Sequence, residues 1–192
     1  MQIWKADINK YSNDLIAFEM SYQESIENQR AQKDNYFKNP HYSPLTEEQL
    51  EKFQGLNYFE IDERLRFEVE LKEYSQKQEV DIRTSTGVLQ KYIRFGYVEF
   101  EVEEKKQSLT VYLQPNSDYF FVPFKDLTAG EETYGAGRYV EIEKIEKNKY
   151  VLDFNQAYNP YCAYNDQWIC PLTPFENNLK TKIRAGEKSF KH

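Results

Sequence analysis

The chain has 192 residues, 40% hydrophobic and 30% charged, which suits one domain with a proper core and excludes general disorder. Its net charge is −7, and no Lys/Arg cluster offsets it on any segment, so neither nucleic acid nor an anionic membrane surface is an expected partner. No apolar run approaches the roughly 20 residues that span a bilayer. The opening Met1-Gln-Ile-Trp-Lys-Ala-Asp7 lacks the apolar stretch of a signal peptide. The sequence as it stands therefore reads as cytoplasmic, with an exported protein whose signal has been removed as the alternative.

From Ser12 to Lys38 the spacing predicts one long helix, with Ser12 as N-cap and Leu15, Phe18, Tyr22 and Ile26 on one face. A short second helix follows. Thr46-Glu-Glu-Gln49 is a capping box, Leu45 and Leu50 are placed for a hydrophobic staple, and Gly55 supplies the stop.

After Gly55 the period changes to two. Leu65, Phe67, Val69 and Leu71 alternate with charged residues, and similar runs centre on Val80/Ile82, Ile93 to Val102, Leu109 to Leu113 and Phe120 to Phe124. Further runs are Val140/Ile142, Tyr150 to Phe154 and Leu179/Thr181/Ile183. Gly96 interrupts one of them and signals a bulge or bend. About eight or nine short strands at hairpin spacing, with no helix between them, predict a mainly β fold, an antiparallel barrel or sandwich. The expected organisation is a single domain, 1–192. Residues 1–55 form a helical arm packed on a β domain of residues 56–192.

The segment from Phe120 to Glu187 holds both cysteines and one of the two tryptophans. Four runs within it are distinctive: Val122-Pro-Phe-Lys-Asp-Leu-Thr-Ala-Gly130, Glu132-Thr-Tyr-Gly-Ala-Gly-Arg-Tyr139, Leu152-Asp-Phe-Asn-Gln-Ala-Tyr-Asn-Pro-Tyr-Cys-Ala-Tyr164 and Cys170-Pro-Leu-Thr-Pro-Phe-Glu-Asn177. With these runs the chain resembles the bacterial and archaeal family known as domain of unknown function 1684. The resemblance covers roughly three quarters of the length. It implies a family and no reaction.

Three chemistries are open in this stretch. The glycine-rich run 130–138, with Asp126, Thr128, Thr133 and Tyr134 beside it, could cradle an anion through backbone N–H groups with Arg138 as a clamp. The alternative is a tight turn in which Arg138 pairs with a carboxylate. Asp153 and Asn155 either line an interior cavity or cap the end of a strand. Cys162 and Cys170, with seven residues between them, are structural thiols, a disulfide, a reactive pair, or two donors of a metal site that lacks the rest of its ligands.

Tyr158, Asn159, Tyr164, Glu176 and Asn177 flank these groups and are expected in the same pocket. The reading that combines them is a β domain binding a small polar or anionic molecule between the 126–138 and 153–177 loops. The alternatives are an enzyme using Cys162 or Asp153 with Arg138, and a structural or protein-interaction module docking through the long helix. The chain has two histidines, His41 and His192, and both lie outside this stretch, which argues against histidine catalysis and a histidine-based metal site. No pattern names a cofactor. The sharpest expectation is a hairpin that sets Tyr139 opposite Phe154 and so brings Arg138, Asp153 and Cys162 around one pocket.

Overall fold

A computed structural model describes residues 20–190. The chain divides into two compact units, Met1–Gly55 and Leu56–His192. In the first, helix α1 spans Tyr22–Lys38 and is capped by Ser21. The Ser21 side chain accepts from the Glu24 N–H, and the Glu24 carboxylate accepts from the Ser21 N–H at 2.8 Å. This capping box starts the helix at Tyr22, later than the Ser12 start expected from spacing. Ser12, Leu15 and Phe18 lie outside the described residues. Helix α2 spans Glu47–Lys52 with the Thr46/Gln49 box in place. It stops at Phe53, whose extended backbone ends the turn, while Gly55 lies two residues further on at φ +144°.

The second unit holds eight strands: β1 (Arg66–Glu70), β2 (Lys72–Arg83), β3 (Leu89–Val102), β4 (Lys105–Leu113), β5 (Phe120–Phe124), β6 (Arg138–Val140), β7 (Ile142–Lys144) and β8 (Lys149–Asp153). They form a three-stranded sheet in the order β1-β8-β7 and a five-stranded sheet in the order β2-β3-β4-β5-β6. Every strand pairing is antiparallel. The result is a sandwich of two sheets and not a closed barrel. Val69 and Leu152 from the smaller sheet, with Leu65 from the 3-10 turn before β1, meet Val98, Phe100, Leu109, Val122 and Phe124 from the larger one in a single core. Among the described residues α-helix is confined to the first unit, and the second carries only short 3-10 turns.

Gly96 marks a real irregularity. The register shifts between Arg94 and Gly96, and a Cβ there would lie 2.4 Å from the Lys72 carbonyl oxygen, so the β2 backbone passes where a side chain would stand. The alternating run Leu179/Thr181/Ile183 is not a strand. All three side chains are buried, but the backbone bonds to the 125–127 segment instead: Leu179 N–H to Lys125 O at 2.7 Å and Leu127 N–H to Thr181 O at 3.0 Å.

Candidate functional site

Arg138 opens β6, opposite Phe124 of β5. Gly137 before it has φ +102°, and a Cβ there would lie 2.4 Å from Thr173 Oγ1 and 2.6 Å from the Phe124 carbonyl oxygen. The Arg138 side chain that follows lies in the interior, where it is 1% exposed. Its Nη1 donates to Ala185 O (2.5 Å) and Glu187 O (2.9 Å), and its Nη2 to Ile183 O (2.8 Å). Nη2 also reaches Asp126 Oδ1 at 3.5 Å, and the guanidinium sits 5.1 Å from the Phe124 ring centre. Burial lowers its pKa, and the Asp126 charge opposes that shift. Asp126 in turn accepts from the Thr128 hydroxyl at 2.9 Å and the Ile183 N–H at 2.7 Å. Thr128 and Thr133 join hydroxyls at 2.9 Å, which closes the 126–133 loop on itself.

The asparagines imitate backbone. Asn155 accepts from the Asp62 N–H and donates to the Asp62 carbonyl, both at 2.8 Å. Asn177 does the same to Thr110, at 2.8 and 2.9 Å, and donates to Pro123 O at 2.7 Å. Asn159 donates its amide to Lys188 O at 2.8 Å, and its backbone N–H to the Glu187 carboxylate at 3.0 Å. Glu187 also accepts from the Tyr164 hydroxyl. Asp153 caps the 3-10 turn that follows β8, accepting from Asn155 N (3.0 Å) and Gln156 Nε2 (3.1 Å).

A second cluster of tyrosines forms around Tyr92, Tyr112, Phe121, Tyr139 and Tyr158. Tyr158 and Tyr119 both donate to Glu141, at 3.2 and 2.8 Å, and Tyr112 donates to Glu176 at 2.7 Å. Burial first, then the neighbouring carboxylates, raises the pKa of Tyr112 and Tyr119. The Tyr139 hydroxyl donates to the Pro171 carbonyl, which fixes the end of the Cys170 segment against β6.

The two loops meet at the cysteines. The Tyr134 hydroxyl lies 3.8 Å from Cys162 Sγ, and the Cys162 N–H donates to Cys170 Sγ at 3.3 Å. Both cysteines are free thiols, Cys162 half-buried and Cys170 buried. The hydrogen bond from Cys170 lowers the Cys162 pKa to about 7 against the cost of burial, with Tyr134 and Ser85 assisting. The same contact with Cys162, and then burial, drives the Cys170 pKa up. Tyr134, desolvated and beside Cys162, is pushed up to about 12.

Two geometric expectations change. The hairpin turning at Lys147-Asn148 exists, but it pairs β7 with β8, with Ile142 opposite Leu152. The chain crosses between sheets at Glu141, so β6 joins β5 and Tyr139 bridges to Tyr158, not to Phe154. Asp126 is therefore the carboxylate paired with Arg138, while Asp153 stands opposite Arg66 at the end of β8. His41 belongs to the first unit, its ring 6.5 Å from that of Tyr42. His192 lies outside the described residues. Ser85, Glu141 and Glu187 carry no signal in the sequence: Ser85 is an ordinary polar residue of the turn between β2 and β3, and the two glutamates belong to no periodic pattern.

Among the described residues no group of three or more His, Cys, Asp or Glu is arranged to hold a metal ion, and no helix is long and apolar enough to cross a membrane. A separate cleft of about 570 Å³ is lined by Asp62, Arg64, Glu101, Glu103, Lys182 and Arg184 among others, and none of the site residues expected from the sequence lines it.

No curated protein matches the chain. A similar solved structure is the solution NMR structure of an uncharacterized protein of Haloarcula marismortui. It is 34% identical, with a TM-score of 0.66, and the match covers 85% of this chain and 92% of that one. The model of the family described as "Protein of unknown function (DUF1684)" matches residues 51–188. With that match spanning most of its length, the chain belongs to the DUF1684 family.

Proposed function

We propose that the β unit binds a small polar molecule where the 126–138 and 153–177 loops meet, with Tyr134 and Cys162 as anchors. One observation carries this reading. Tyr134 and Cys162 are brought to 3.8 Å by side-chain contact between the loops, and Cys162 is only half-buried, so a small molecule could reach both groups at once. The guanidinium of Arg138 is engaged by carbonyls and Asp126, so the ligand meets hydroxyl and thiol groups and not a cation. This favours a neutral polar molecule over an anion.

Native mass spectrometry of gently purified protein tests the proposal. A small molecule should be retained by the wild type and lost from Tyr134→Phe combined with Cys162→Ser. No retained molecule in any preparation, or equal retention by the double variant, overturns it. An enzyme at the same place would use Cys162 as its nucleophile, half-buried and with its pKa lowered. Asp153 does not support it, being held by Asn155 and Gln156.

A further inference from the structure

The cysteine loop is built as a closed ring before any bond joins its ends. A 3-10 turn, Tyr161–Ala163, begins it. Asn165 N–H bonds to Tyr161 O at 3.1 Å, and Trp168 N–H to Asn165 O at 3.2 Å, which folds the seven intervening residues back on themselves. The Trp168 ring packs edge-on against Tyr161, with centres 5.1 Å apart. The far end is pinned to the β2–β3 turn: Cys170 O accepts from Ser85 N–H at 2.9 Å, and Cys170 N–H donates to Ser85 Oγ at 3.3 Å. The Cys162 N–H donates to Cys170 Sγ at 3.3 Å, so the Cys170 sulfur already stands against the Cys162 residue it would bond to. The loop-closure entropy of such a bond is already met by the fold.

The two sulfurs are also unequal. Cys162 is half-buried and Cys170 is buried. One thiol can meet a reagent from solution, and the other can meet only its neighbour.

We propose that Cys162 and Cys170 form a thiol–disulfide exchange centre acting on a low-molecular-weight disulfide, with Cys162 as the attacking and Cys170 as the resolving thiol. The Cys162 thiolate attacks one sulfur of RS–SR′. The Cys162–SR bond forms, the RS–SR′ bond breaks, and R′S⁻ leaves and is protonated by water. Cys170 then gives up its proton to the departing RS⁻ as its sulfur attacks Cys162 Sγ. The Cys162–Cys170 bond forms, the Cys162–SR bond breaks, and RSH leaves. Two electrons from the dithiol reduce one disulfide to two thiols, and two external thiols reverse the sequence. The lowered pKa of Cys162 and the raised pKa of Cys170 match these roles, since the attacking thiol works best with a pKa near the ambient pH. The half-buried position of Cys162 beside Tyr134 suits a small disulfide better than one on a folded protein.

This inference shares its residues with the binding proposal and needs no resident ligand, so the two can fail separately. The test uses the reduced full-length chain and oxidised glutathione, with acid-quenched time points read by mass spectrometry. Wild type should pass through a single glutathione adduct to an internal disulfide two hydrogens lighter. Cys170→Ser and Cys170→Ala should stop at one stable adduct, mapped to Cys162. Cys162→Ser should give neither product at a comparable rate. Should both Cys170 variants fail to fold, wild type unfolded in urea serves instead, and its adduct should resolve more slowly than that of the folded chain. The proposal is overturned by a wild-type adduct that never resolves, by a Cys162→Ser variant that reacts as fast as wild type, or by adduct resolution that is equally fast in the unfolded chain.

Discussion

Arg138→Lys is the substitution with the largest expected effect. It keeps the positive charge and removes the planar fork that lets Nη1 and Nη2 serve Ile183, Ala185 and Glu187 carbonyls together with Asp126. An ammonium is a compact donor on a shorter stem and cannot span this set. Each buried carbonyl left without a donor costs about 1–3 kcal/mol. Weakening a buried ion pair adds to that, up to about 3–5 kcal/mol when one partner is removed outright, as in Arg138→Met. These terms do not add fully, because the 183–187 segment can swing outward and find water. The expected loss is about 3 kcal/mol for Lys and about 5 for Met, a large share of the stability of a domain this size. Urea unfolding followed by tyrosine fluorescence measures it. Hydrogen exchange locates it: the Glu187 N–H, bonded to Ala157 O, and the Phe59 N–H, bonded to Gly186 O, should lose protection first. If Arg138→Lys costs under about 1 kcal/mol and these amides stay protected, the clamp is not what holds the segment, and a ligand-facing role for Arg138 regains its place.

Asn177→Asp, nearly isosteric, should destabilise by about 2–4 kcal/mol in the same urea assay, because a carboxylate cannot donate to Thr110 O and Pro123 O. Gly137→Ala should cost a similar amount, about 2–4 kcal/mol, since φ is +102° and the new methyl meets Thr173 Oγ1 and the Phe124 backbone. A midpoint unchanged from wild type would contradict either reading. Alkylation of Cys162 by iodoacetamide should rise with pH through about 7, below the ordinary value of 9.0. The groups facing it are Cys170, Tyr134 and Ser85, with Tyr92 and Tyr139 close to Cys170. Cys170→Ala and Tyr134→Phe should each move the midpoint upward, and a midpoint insensitive to both would sink the assignment. A depressed folded pKa carries a sign for stability too: the contribution of Cys162 is present above the unfolded value and is lost as pH falls through about 7.

The strand pattern was legible in the sequence because alternation reports which side chains are buried, and in most runs burial and ladder coincide. Leu179, Thr181 and Ile183 show where they separate. Their side chains alternate inward as in a strand, while their backbone groups are taken by Lys125, Leu127 and the Asp126 carboxylate. Period-two burial is silent about which backbone supplies the partner. The asparagines raise the same difficulty. Their type marks Asn155, Asn159 and Asn177 as polar groups in special places, but whether an amide faces a ligand or the N–H and C=O of one residue depends on what the fold lays beside it. Asp62 and Thr110 are 93 and 67 residues away from their partners. The crossing between sheets at Glu141 was hidden too, since Val140 and Ile142 read as one continuous strand.

Once the distant partners are in place, the polar residues of the four distinctive runs separate by what they touch. Asp126, Thr128, Thr133, Arg138, Asn155, Asn159 and Asn177 bond to backbone or to one another in the interior. Buried polar groups of this kind must be satisfied for the fold to exist, and satisfying them fixes the loops that strands alone would leave loose. The frame they build ends at two points that bear on the cysteines. Gly137 seats against Thr173, and the Tyr139 hydroxyl holds Pro171, so the loop bearing Tyr134 and the loop bearing Cys170 are fixed to the same strand. A thiol pair on free loops would spread over many separations. Held this way, Cys170 Sγ stays against the Cys162 N–H, 3.3 Å away. The interior network thus anchors the loops that carry the dithiol, and loosening Arg138 should blunt the reactivity of Cys162 even though the two side chains have no bond in common.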